Sequence, residues 1–187
     1  MRRGLAGPVL LAAGGLSLLV LAAISPRAEA KVEAPSRAPG PRPEGGAHAP
    51  LPGRPSAGSG FGVRADPFTK QPAFHRGLDI PVPVGTPVYA PFAGTVERVD
   101  RDGVGRGVTN GHAVFLRSNG YLWAFLHLSV VVTPLGARVQ RGQLIGRTGQ
   151  TGRATGPHLH IQVYDPSGRL VDPMTVYPLD TFARRSA

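Results

Sequence analysis

Past residue 60, apolar residues alternate with polar ones in short runs that glycine or proline interrupts roughly every ten residues. A period of two marks a strand with one buried face, and no long stretch carries the 3.6-residue period of an amphipathic helix. The runs are Pro87-Val-Tyr-Ala90, Gly94-Thr-Val-Glu-Arg-Val99, His112-Ala-Val-Phe-Leu116, Tyr121-Leu-Trp-Ala-Phe-Leu126, Gln143-Leu-Ile-Gly146 and His158-Leu-His-Ile-Gln-Val163. Strands this short and this evenly spaced predict an all-β fold, an antiparallel β-sandwich or partly closed barrel, with little helix. The glycine-rich stretches Gly103–Gly107 and Gly146–Gly156 lack the lysine and following helix of a phosphate-binding loop, so they are read as turns.

The preceding residues have a different character. Arg2 and Arg3 precede an almost unbroken apolar run from Leu5 to Ile24, and Ala28-Glu29-Ala30 has the small-x-small form of a cleavage site. Residues 1–30 therefore read as an export signal or, uncleaved, as an N-terminal membrane tether. Residues 31–60 are rich in Pro, Ala, Gly and Arg and poor in large apolar side chains, the composition of a disordered linker. His48 lies within it as a bystander. A folded domain is expected over 61–187, in an extracytoplasmic setting.

The chain has no cysteine, which excludes disulfides, thiolate metal sites and a cysteine nucleophile. Its formal net charge of +10 favours an anionic partner such as a cell-wall polymer or a lipid surface. The arginines are scattered and only 6% of residues are aromatic, which argues against nucleic acid. Oligomeric state is not encoded in any of these features.

Three segments carry chemistry. His158 and His160 lie two apart where a glycine-rich loop enters an alternating strand, so their rings share a face. His75 and Asp79 lie four apart in what reads as a loop held by Gly77 and Pro81, ahead of the first clear strand. With His160 they would make a two-histidine, one-carboxylate zinc set with a fourth position open to water, the mark of a catalytic site. His127, embedded in the apolar Phe125-Leu-His-Leu128 segment, reads by itself as a core or surface histidine, but it falls between the other two segments.

The pattern His75-x-x-x-Asp79, the Phe-Leu-His127-Leu segment and Thr155-Gly-Pro-His158-Leu-His160 resembles the three motifs of the M23 peptidases, the lysostaphin-like zinc endopeptidases of peptidoglycan. Val84-Gly-Thr-Pro-Val-Tyr-Ala-Pro91 and Gly142-Gln-Leu-Ile-Gly146 match as supporting phrases, and the similarity runs from about Phe61 to Pro173. The resemblance implies one zinc ion held by His75, Asp79 and His160. His127 and His158 would then flank the zinc-activated water and the scissile carbonyl of a peptidoglycan peptide. Two positions depart from the pattern: Phe125 stands where tyrosine is usual, and His112 where asparagine is common. Two other readings compete: a non-catalytic wall-binding or regulatory module that activates another hydrolase, and a cupin-like metalloprotein. The complete ligand set argues against the first. The second expects a further histidine downstream, and none follows His160.

Overall fold

A computed structural model describes residues 46–53, 55–101 and 107–176. The expected export segment and the first part of the expected linker lie outside these residues. The described chain forms β1 (Gly62–Ala65), β2 (Pro72–His75), β3 (Leu78–Pro81), β4 (Pro87–Tyr89), β5 (Gly94–Asp100), β6 (His112–Ser118), β7 (Tyr121–Val131), β8 (Arg138–Val139), β9 (Leu144–Thr148), β10 (His158–Tyr164) and β11 (Leu170–Val171). Two four-residue helices, α1 (Gly107–Asn110) and α2 (Pro173–Val176), are the only helices among the described residues. The all-β expectation holds.

Every pairing is antiparallel. β1 and β2 make a separate hairpin, while the other nine strands form one sheet in the order β11-β10-β7-β6-β5-β8. β3 lies against β10, and the β4–β9 pair joins through the end of β7. Val88 of β4 and Ile145 of β9 enter the same buried cluster as Val96, Leu116, Trp123 and Ile161, so the sheet closes over its own apolar face.

The alternation seen in the sequence is realised on β7. Tyr121, Trp123 and Phe125 point into this main core, and Leu122, Ala124 and Leu126 join a second cluster with Ala113 and Phe115 on the opposite face. Phe125 is fully buried, so its ring serves packing.

Two expectations are corrected. His75 and Asp79 do not share a loop: His75 ends β2 and Asp79 lies within β3, with only Arg76 and Gly77 between the strands. Strands of only four residues are too short to establish a period of two in the sequence. In addition, chain packing begins ahead of the expected boundary at Phe61. Leu51 is 1% exposed in the main core, His48 packs edge-on to Tyr89, and Gly58 and Ser59 hydrogen-bond to both sides of Asp79's backbone. This strap makes no core of its own; it is held by backbone bonds to strands it could not be seen to meet.

Candidate metal centre

β10 is the spine of the site. Its register pairs His158 with Pro81, Leu159 with Ile80 and His160 with Asp79 on β3, and on the other edge His160 with Leu126 on β7. Directly opposed residues share a face, so this register alone brings the Asp79 carboxylate to the His160 ring. Nδ1 of His160 lies 2.6 Å from Asp79 Oδ1, and Nε2 of His75 lies 3.1 Å from Oδ2 and 3.2 Å from His160 Nδ1. His158 Nε2 is 3.4 Å from Oδ1. The late pair therefore does share a face, with His160 buried and His158 half-buried.

His127 reaches the site through an irregularity that the sequence does not announce. By alternation it belongs with Trp123 and Phe125, pointing into the core. The β6–β7 register, however, passes from Val114 opposite Phe125 to His112 opposite Leu128, so β7 holds one extra residue there. His127 sits at that bulge with φ of 61°, a left-handed conformation rare outside glycine. Leu128 takes the vacated core position, and His127 turns outward so that its ring lies 4.8 Å from that of His158 and 5.6 Å from that of His160, centre to centre. Non-glycine residues are held in such backbone states where the surroundings over-determine them, and functional sites are where these collect.

Backbone carbonyls set the protonation of three rings. A carbonyl only accepts, so the ring nitrogen facing it carries the hydrogen. Nδ1 of His75 donates to Gly60 O at 2.6 Å, that of His127 to Thr151 O at 2.9 Å and that of His158 to Gly156 O at 2.8 Å. Each ring thereby turns its Nε2 into the site, those of His75 and His158 toward the Asp79 carboxylate. His160 is turned the other way: Nδ1 faces the carboxylate, and Nε2 lies 3.1 Å from the Gln162 side-chain amide, whose Oε1 accepts a 2.9 Å bond from the Tyr164 hydroxyl. Gln162 and Tyr164 follow His160 at strand spacing, and sequence reading passed over both because an alternating strand uses such residues as ordinary polar surface. The Gly60 carbonyl was also missed, since no side-chain pattern marks it.

Electrostatics follow from burial. Burial alone would raise the Asp79 carboxyl, but hydrogen bonds from His160 and His75 outweigh it and hold the group well below the usual carboxylate range. Burial, reinforced by the His160 and His158 rings, pushes His127 down to about 4, and burial likewise lowers His160. His127 is therefore neutral at pH 7.

The five groups line one cleft of about 480 Å³, walled also by the β1–β2 hairpin and the Gly149–Pro157 loop. His112 and His48 are not among its lining residues. Two trios converge closely enough to hold a metal ion, His75–Asp79–His160 and His127–His158–His160. Ligand atoms in a tetrahedral zinc site with bonds of about 2.0–2.1 Å stand about 3.3 Å apart. The donor atoms of the first trio, at 2.6–3.2 Å, fit such an ion with small adjustment, and their nitrogen and oxygen chemistry suits it.

A half-buried carboxylate with imidazole nitrogens gathered around it in a cleft has the make-up of a metal centre. The sequence pattern of Peptidase family M23 matches residues 73–173, more than half of the chain, and the chain belongs to that family. The peptidoglycan DD-endopeptidase ShyC of Vibrio cholerae is 44% identical over 100 residues, covering 53% of this chain and 22% of ShyC. The chain thus spans about a quarter of the length of such relatives. Among solved structures, a zinc-containing peptidase from Vibrio cholerae superposes with a TM-score of 0.61 at 34% identity, over 69% of this chain and 39% of that one. The catalytic domain of the antimicrobial peptidase lysostaphin from Staphylococcus simulans gives 0.54 at 29% identity, over 64% and 89%. The fold is lysostaphin-like.

Proposed function

We propose that this chain is a zinc metalloendopeptidase that hydrolyses peptide bonds in the stem or cross-link peptides of peptidoglycan, acting outside the cytoplasm after export by residues 1–30. The observation that carries the reading is the convergence of His75 Nε2, Asp79 and His160 Nδ1 within 2.6–3.2 Å, beside two further imidazoles that turn their Nε2 atoms to the same cleft. The first trio is favoured as the ligand set because its donor atoms lie 2.6–3.2 Å apart, whereas those of the all-histidine trio are joined by no hydrogen bond.

A zinc ion held by His75, Asp79 and His160 would supply Lewis acidity and make a water acidic enough to ionise near pH 7. The chain's own residues do the rest. His127, neutral and fixed by Thr151 O, accepts at Nε2 the proton lost by the water that attacks the scissile carbonyl. His127 then hands that proton to the leaving amine, while His158, fixed by Gly156 O, stands on the other flank, where an N–H at its Nε2 would donate to the developing oxyanion. The carbonyl anchors keep both rings from rotating out of register. The relatives named as peptidoglycan endopeptidases support the substrate class, and the basic charge suits a polymer bearing free carboxylates.

Zinc content of the purified protein, paired with product analysis on isolated peptidoglycan, tests the reading. One zinc per chain and new amine and carboxyl ends in the wall peptides are expected. A protein that binds zinc yet releases no peptide products would be a wall-associated module instead.

A further inference from the structure

The β1–β2 hairpin presents more than a ligand to the cleft. Its register pairs Gly62 with His75 and Arg64 with Ala73, so Arg64 and His75 lie on the same face of the hairpin. Arg64 Nη2 donates to Asp79 Oδ2 at 3.2 Å, its sole hydrogen bond to a described residue, and the side chain is 32% exposed in the cleft. A guanidinium carries five N–H donors, so most of its fork is uncommitted.

The nearby acid does not compensate it. Asp66 is held by Arg153 through two 2.9 Å bonds and by the backbone N–H groups of Phe68 and Thr69. Arg76, also at the cleft, is exposed and forms no ion pair with a described residue. Three arginines therefore face two aspartates around the cleft, and a dication on Asp79 would make the balance more positive. It would also draw on the carboxylate charge that now faces Arg64. A planar fork with free donors beside a positively charged centre is suited to a carboxylate, which it can bind through two parallel hydrogen bonds.

We infer that Arg64 docks a free carboxylate of the substrate peptide next to the bond being cleaved, making the site selective for peptides that bear one. The inference rests on the metallopeptidase reading and narrows it to a substrate class. It contrasts with a purely structural role, in which Arg64 only braces Asp79 and its loss would loosen the metal.

The test uses the zinc-loaded full chain and cross-linked peptides released from isolated peptidoglycan, either untreated or with their carboxylates converted to amides by carbodiimide and ammonia. Wild type should cleave the untreated peptides at least tenfold more efficiently, chiefly through KM. In Arg64→Gln that ratio should fall close to one, and in Arg64→Lys it should be intermediate, while zinc affinity measured against a chelator stays within about threefold of wild type in both. Equal cleavage of both peptide sets by wild type, an undiminished ratio in Arg64→Gln, or a tenfold loss of zinc affinity on that substitution would each overturn the subsite. A wild-type chain that binds no zinc and cleaves neither set would overturn the metallopeptidase reading, and the subsite with it.

Discussion

At the residue scale, the four cleft imidazoles divide by what their second nitrogen touches. His75, His127 and His158 are anchored by carbonyls, whereas His160 depends on the Gln162 amide. Replacing His75, Asp79 or His160 by Ala should abolish zinc binding and hydrolysis together, because a three-ligand site reduced to two binds poorly. His127→Ala and His158→Ala should keep near-stoichiometric zinc while turnover falls by roughly two to four orders of magnitude. Zinc occupancy and hydrolysis on the same preparations separate the groups, and full hydrolysis by any ligand variant would refute the assignment. For His160 Nδ1 to bind a metal, Nε2 must carry the proton, so the Gln162 amide must turn its oxygen to it and let Tyr164 accept from the NH2 group. Gln162→Leu should therefore weaken zinc binding by roughly 10–100-fold, read by competition with a chelator. His127 supplies a pH test. Its folded pKa, about 4, lies below the 6.5 of a free imidazole, so the unfolded chain takes the proton first. The stability this contributes is complete above pH 6.5 and is lost as pH falls toward 4. An NMR titration of the metal-free protein should place the His127 midpoint well below 6.5; a midpoint at the free value would show that burial is not holding it neutral.

At the scale of elements, two local devices assemble the centre: the bulge in β7 and the strap over β3. The bulge costs backbone strain but places His127 in the cleft and Leu128 in the core, where plain alternation would have done the reverse. The strap bonds to both sides of Asp79 through Gly58 and Ser59 and fixes the His75 ring through Gly60 O. A chain starting at Phe61 removes all three contacts and the buried Leu51. It should bind zinc at least tenfold more weakly than one starting at Gly46, and equal affinities by chelator competition would show the strap to be incidental. Gly77, between β2 and β3, is constrained by close approach: a Cβ there would collide with Ile161 O and lie 2.7 Å from His160 Nε2. Gly77→Ala must displace β10 or the His160 ring, so loss of both thermal stability and zinc affinity is expected.

For the whole molecule, a metal bound at the proposed site would act as a cross-link. Its proposed ligands come from β2, β3 and β10, and β2 belongs to the hairpin that is not hydrogen-bonded into the main sheet. A ligand that binds only the folded state stabilises it by about 4 kcal/mol at a thousand times its Kd, so stripping zinc should lower Tm by on the order of 10 °C. Calorimetry with and without chelator would measure this, and an unchanged Tm would show that the hairpin and sheet hold the site without the ion.

The six alternating runs were legible because burial on one face of a pleat leaves a period of two in the sequence, and all six became strands. The five candidate site residues were singled out because the segments that carry them resemble the M23 motifs; by itself His127 reads as a core or surface histidine. What the sequence could not show lies in long-range geometry. β1, β2 and β3 are four residues each, too short to establish a period in the sequence. Beyond the single buried Leu51, the strap is fixed largely by backbone hydrogen bonds, which leave no side-chain signature. The face that His127 occupies depends on one extra residue in a register between two strands, and Arg64 acquires its meaning only where a hairpin lays it beside Asp79. Side-chain patterns report which residues leave water; only the tertiary fold decides which of them meet.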